Sequence, residues 1–271
     1  MNFAIKSGFH INRASKLTEF LHHRHLIFMM AKREVQSRYR QALLGIFWVV
    51  ARPVMLLVVF TYIFKGVANM NASLVPYPVM VFTGLLFFEY FSACTNRISN
   101  SFLSNRALIE KVKCPRLIMP ISAIMVCLFD SMFIFATLLI LMAMLDVGLS
   151  SNIIFLPILI LATTSLAFGF GLFLATITVW FRDLAQIIAF LLQGLMWVTP
   201  IGYEFSSLPE GIANISYYNP LAILVEQYRW AIYASPSADF DFSFLLACIA
   251  SFLILGLAVF FRFERNFADV I

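Results

Sequence analysis

A polytopic all-α membrane fold is the class this sequence predicts, and three observations predict it. Of 271 residues, 62% are hydrophobic and only 12% are charged, where a soluble domain carries roughly 25% charged residues and at most about half apolar ones. Mean hydropathy is +0.90 and 30 residues are Phe, which fits a chain whose solvent is largely lipid and excludes a soluble globular domain. The apolar residues fall in runs near 45–64, 78–95, 118–145, 153–179, 184–201 and 243–261, each near or above the length that a membrane-spanning helix needs.

Six spans place both chain ends on one side. The second run is the weakest signal, because Pro76 and Pro78 start it and Glu89 interrupts it, while Arg182–Asp183 and Pro200 bound the fifth. Sixteen of the nineteen Lys and Arg lie in the first 44 residues, in the loop 97–116, at Arg182 and in the tail, so the positive-inside rule puts both termini in the cytoplasm. The net charge of +5 then reflects topology, with membrane lipids and not nucleic acid as the expected contact. Two units follow: a cytoplasmic segment 1–44 and a six-span domain 45–271. Before Gly45 the longest apolar run is Leu26 to Ala31, too short for the core of a cleaved signal peptide.

Two segments are expected not to span. Over residues 15–36, Leu17, Phe20, Leu21, Phe28, Ala31 and Val35 recur at helical spacing among basic residues, the pattern of an amphipathic helix lying on the membrane surface. On the opposite side, 200–241 interleaves Tyr203, Phe205, Tyr217, Tyr218, Tyr228, Trp230 and Tyr233 with Gly and Pro. There Asn219–Pro220 opens a short helix to Tyr233, and the segment is expected to dip into the outer interface or re-enter, where Tyr and Trp are at home.

Chemistry is sparse. The chain has no G-x-x-x-x-G-K-[ST] loop, no H-E-x-x-H and no G-x-S-x-G, so no local device for a nucleotide phosphate, a catalytic zinc or a serine nucleophile is present. His22, His23 and His25 sit beside Arg24 on the surface helix and read as interfacial side chains rather than metal ligands. Cys94, Cys114, Cys127 and Cys248 lack C-x-x-C spacing and fit reduced thiols in or beside apolar runs. Charges inside spans normally face protein or water. Arg52 is expected either to snorkel towards headgroups or to contact a partner helix or the substrate. Asp130 is expected to make an interhelical hydrogen bond, and Glu89 either lines a pore or points inward among lipid-facing Phe87, Phe88, Tyr90 and Phe91.

Four local patterns together resemble one family, the permease subunits of type-2 ABC exporters, and within it the branch that exports O-antigen and related polysaccharides. Arg38-Tyr39-Arg40-Gln41-Ala42-Leu43-Leu44-Gly45-Ile46-Phe47-Trp48 with Pro53 is similar to the family's R-Y-x-x-S-x-L-G-x-x-W-x-x-x-x-P opening of the first span, with Ala42 where Ser is common. Asn105 to Arg116 resembles the N-x-x-L-I-x-K-x-x-x-P-R loop. Phe181-Arg182-Asp183-Leu184 is similar to the Y/F-R-D turn before the fifth span, and Tyr218-Asn219-Pro220-Leu221 with Glu226 and Arg229 to the N-P-L segment of outer re-entrant helices. A capsule permease is the nearest sibling.

The resemblance implies a homodimer of six-span subunits working with two copies of a separate ATP-hydrolysing subunit in a bacterial inner membrane. ATP and Mg are then used by that partner, and no cofactor or metal is expected on this chain. The implied substrate is a lipid-linked O-antigen polysaccharide, with a capsular or teichoic-acid-like polymer, or a smaller lipid or drug, as alternatives. Leu108, Ile109, Glu110 and Lys111 become the expected coupling helix, with Arg182 and Asp183 in the neighbouring turn. Tyr62, Phe190 and Trp197 are expected to line a path at the dimer axis, and Tyr217, Tyr218 and Trp230 to gate it from outside, broad rings being suited to stack on sugars; an interfacial aromatic belt is the competing reading of that outer cluster.

Overall fold

The computed structural model describes residues 24–40, 47–63, 74–111, 114–204, 216–236, 241–264 and 267. The regular structure of these residues is helical: α1 Arg24–Arg40, α2 Phe47–Phe60 (continued by a π turn to Ile63), α3 Tyr77–Ser104, α4 Arg106–Lys111, α5 Ile118–Met144, a 3₁₀ turn Ser151–Phe155, α6 Leu156–Trp180, α7 Leu184–Val198, α8 Pro220–Tyr233 and α9 Phe242–Phe263. Residues 15–23 of the expected surface helix, Gln41 to Ile46, Phe205 and Asp239 lie outside the described residues.

Four elements are long and apolar enough to cross a membrane: α3, α5, the 3₁₀ turn with α6, and α9. The apolar helices α2 and α7 have 14 and 15 residues, about 21–23 Å at 1.5 Å per residue, short of a hydrocarbon core of about 30 Å. The fifth run therefore ends earlier than the sequence pattern implies. Proline disfavours helical backbone in the residue before it, and Thr199, preceding Pro200, is extended at φ −89°, ψ 136°.

The second run departs most from expectation. Instead of a weak span over 78–95, α3 is the longest helix, with 28 residues, and forms the centre of the molecule: 83% of its most apolar stretch is buried, against 28%, 22% and 22% for the other three long elements. Proline is tolerated in a helix's first turn, where N–H groups have no intrahelical acceptor anyway, so Pro76 and Pro78 start α3 instead of breaking it. Beyond Cys94 its polar residues satisfy themselves on the helix's own carbonyls, Ser99 Oγ and Asn100 Nδ2 donating to Asn96 O at 2.8 Å each and Ser101 Oγ to Ile98 O at 2.7 Å. Around it pack α5, α6 and α8, while α9 lies on α6 and α1 on α5.

The α6–α9 contact is a close backbone approach. A Cβ added to Gly256 would lie 2.2 Å from Gly169 O, and one added to Gly169 would lie 2.5 Å from the Phe252 carbonyl carbon. Small residues permit such approach between membrane helices, where dispersion contacts replace the hydrophobic effect. α8 begins where the sequence places it, with the Asn219 side chain accepting from Leu221 N at 3.0 Å. Its face is not interfacial, however, because Leu221 to Arg229 are all buried.

Candidate functional site: a charged clasp, an exposed aromatic face and a buried ion pair

The residues expected to carry coupling share one end of the bundle. The α3 C-terminus leads directly into α4, and Phe102 of α3 stacks on Phe260 of α9 at 5.8 Å. Trp180 at the end of α6 meets Phe263 of α9 at 6.2 Å, so the Arg182–Asp183 turn joins α4 at that end. Arg182 and Asp183 are exposed, whereas Leu108 and Ile109 are half-buried against the bundle rather than free. Glu110 and Lys111 are helical in backbone, and their side chains lie outside the described residues.

At the same end α1 is fastened by charge. Asp130 of α5 receives Arg38 Nη1 and Arg97 Nη2 on Oδ2, both at 3.0 Å, and the Tyr39 hydroxyl on Oδ1. Glu34 of α1 receives Arg97 Nη1 at 2.5 Å and stands 3.7 Å from Arg38 Nη2. Two carboxylates and two guanidinia thus cancel in charge while joining α1, α3 and α5. Asp130 and Arg97 side chains are only 11% and 16% exposed, against 39% and 43% for Arg38 and Glu34. Burial, then the bond to Asp130, pushes the Tyr39 hydroxyl well above the usual tyrosine range, keeping it a proton donor. A polar cavity of about 590 Å³ adjoins the clasp, lined among others by Arg33, Asn96, Asn100, Ser104 and Asn105, so it extends from the ion pairs to the start of α4.

This arrangement meets the expectation that Asp130 makes an interhelical bond. It also shows what the sequence reading missed: Arg38, Tyr39 and Arg97 are the partners of Asp130, and Glu34 shares the two arginines. The available signal was an acid alone in an apolar run, which demands a partner of opposite charge.

Glu89 is buried, the inward placement of one of its two readings, but the rings around it depart from expectation. Its neighbours Phe87, Phe88, Tyr90 and Phe91 are 0–4% exposed, so these rings fill the core instead of facing outward. The Glu89 carboxylate meets Arg52 of α2, with Oε1 to Nε 3.4 Å, so Arg52 contacts a neighbouring helix.

α2 and α7 each leave one stripe uncovered. Trp48, Met55, Val59 and Tyr62 are exposed along α2, and Ile187, Phe190, Leu191, Trp197 and Val198 along α7, with Tyr62 at 75% and Phe190 at 77%. Phe60 stacks on Trp197 with centroids 5.5 Å apart, tying the two helices together. Three expected path residues therefore belong to uncovered stripes of linked helices.

The outer aromatic cluster does not assemble as expected. Tyr228 is buried, bonded to Thr163 and 5.3 Å from the Phe87 ring. Trp230 is half-buried 5.4 Å from Phe155, while Tyr217 and Tyr218 meet edge to face at 5.8 Å. Of the three expected gate residues only Tyr218 is strongly exposed. What organises this end is an ion pair: Arg229, 1% exposed, bonds Glu226 at 2.6 Å and donates to Ile201 O at 2.9 Å and Tyr203 O at 3.2 Å. Tyr77 donates to Gly202 O at 2.7 Å, so 201–203 is pinned from two sides. Burial raises the Tyr203 hydroxyl, opposed by Arg229. Arg229, outside the sixteen basic residues that mark sidedness, is thus a neutralised interior group.

Four lipid-length helices and further short apolar helices define an integral membrane protein. The chain belongs to the ABC-2 type transporter family, whose pattern matches residues 25–233; it is a transporter permease. It is 26% identical over 251 residues to the O-antigen export system permease protein RfbA of Klebsiella pneumoniae, an alignment covering 91% of this chain and 95% of that protein. The protein of the same name from Myxococcus xanthus is 25% identical, with 93% and 98% covered. The polysialic acid transport protein KpsM of Escherichia coli is 23% identical, with 93% and 95% covered.

Proposed function

We propose that this chain is the membrane subunit of an ATP-driven exporter that moves lipid-linked O-antigen polysaccharide across a bacterial inner membrane. The similarity to O-antigen export permeases over more than nine-tenths of the chain carries the reading. In it α2 and α7 complete a set of six spans, the termini and α1 are cytoplasmic, and two copies meet across the exposed α2 and α7 stripes with the polymer path between them. Two copies of a separate ATPase supply the energy.

α4 and the Arg182–Asp183 turn dock on those ATPases, with Glu110 and Lys111 among the docking groups. Tilting of the ATPases as rigid bodies moves α4, and through it α3 and the clasped α1. Tyr62, Phe190 and Trp197 offer ring faces on which sugars stack without being held tightly, and Tyr217, Tyr218 and Trp230 lie towards the outer mouth. Full-length similarity to a polysialic acid transporter favours capsular polymer as the second reading.

The test is deletion of the gene in its own host and complementation with wild type or with Glu110→Ala/Lys111→Ala. Deletion is expected to strip O-antigen from the surface while lipid-linked polymer accumulates inside, and the double variant to restore export poorly despite normal membrane levels. Loss of capsule with intact O-antigen would establish the second reading, and unchanged surface polymers would overturn both.

A further inference from the structure

Arg52 occupies an unusual position. Together with Trp48, Met55, Val59 and Tyr62 it forms the uncovered stripe of α2, and its side chain is 67% exposed. An arginine on an otherwise apolar membrane helix is costly unless it meets an anion or water. Its one partner among the described residues is Glu89, reached through Nε at 3.4 Å, which leaves both terminal nitrogens of the guanidinium uncommitted. The pairing is loose from the other side too: Glu89 is 8% exposed, yet its Oε1 accepts no hydrogen bond. A buried carboxylate oxygen without a hydrogen bond and an exposed guanidinium with a free fork describe a pair held by charge alone.

We propose that Arg52 is an anion-binding residue for the phosphoryl group of a lipid, and that Glu89 is its exchangeable counter-ion. The two terminal nitrogens form the planar fork that grips two phosphoryl oxygens. Arg52 lies five residues after Phe47, about 7.5 Å along the helix, a depth from which a long side chain reaches the headgroup layer, where lipids carry their phosphates. With no ligand bound, Glu89 neutralises the guanidinium; a bound phosphoryl group takes over that role. Two lipids offer this chemistry, a bilayer phospholipid and the lipid end of the exported polymer if that anchor is phosphorylated. The second source rests on the export function proposed above; the first needs only that the α2 stripe stay open to the bilayer at the depth of Arg52 where two copies meet.

The test uses the full-length permease in dodecyl maltoside micelles, which carry no phosphate, with fluorescent farnesyl pyrophosphate as the probe and anisotropy as the readout. Arg52→Gln is expected to weaken probe binding at least about tenfold, and Arg52→Lys, which keeps charge but loses the fork, about threefold or more. Glu89→Gln is expected to tighten it, because the competing charge is gone. Opposite signs for Arg52→Gln and Glu89→Gln distinguish an exchangeable pair from a helix clamp, in which both variants would only loosen the fold.

Competition by phosphatidylglycerol added to the micelles would identify a bilayer headgroup as the occupant. Binding that survives such competition would identify the polymer's lipid end. Probe binding unchanged in folded Arg52→Gln, or in Arg52→Lys should the first variant not fold, would overturn the proposal. No ATPase or polymer is needed, so this result is independent of whether gene deletion abolishes export.

Discussion

Asp130 concentrates more of the fold's polar energetics than any other side chain on α5, since Arg38, Tyr39 and Arg97 all converge on it. Hydrogen bonds to charged groups contribute about 1.5–3 kcal/mol each, and removing one partner of a mostly buried pair leaves the other uncompensated. Asp130→Asn is therefore expected to destabilise the permease by about 2–4 kcal/mol, measured by thermal unfolding in detergent. Glu34→Gln should cost less, because Glu34 is 43% exposed and water replaces its bonds. The combination Arg97→Gln/Asp130→Asn should cost less than the sum of its singles, and strict additivity would show that the two do not act as one unit. The need for a partner was legible in the sequence, an acid within an apolar run. Its identity was not: Arg38 and Arg97 lie 92 and 33 residues away, and no local spacing connects them to Asp130.

At the level of elements, period and composition disclosed which stretches are apolar helices, and turn chemistry disclosed α8, where Asn219 caps and Pro220 occupies the first turn. The extents of α3 and α7 were less legible because hydropathy reports solvent preference rather than helix continuation. Polar α3 residues past Cys94 satisfy themselves within the helix, and Pro200 acts on the residue before it. Nor does composition tell which aromatics face protein, so the outer cluster was grouped by sequence nearness although Tyr228 and Tyr218 sit in opposite surroundings. The α6–α9 crossing shows the same limit, since Gly169 and Gly256 matter only as a pair. Gly256→Ala is expected to push these helices apart and cost about 1–3 kcal/mol, and Gly256→Leu to lower the yield of folded permease sharply. A leucine variant with wild-type melting behaviour would mean that α9 can re-pack away from Gly169.

For the whole molecule, the central position of α3 bears on how the protein is made. α3 is the least apolar of the four lipid-length elements and the most buried, so its surroundings in the finished bundle are protein on nearly every side. Lipid alone is a poor solvent for a helix carrying Glu89, Asn96, Arg97 and Asn100. When α3 leaves the ribosome, α5 and α6, which later enclose it, do not yet exist. With the other cysteines replaced by Ser, Cys94 of α3 is expected to react with a water-soluble maleimide in chains truncated after residue 117 and to be protected in chains extended to residue 181; equal protection would show that α3 enters lipid unaided. The helix at the heart of the permease is thus a passenger during synthesis, waiting at the insertion machinery for the neighbours that become its solvent.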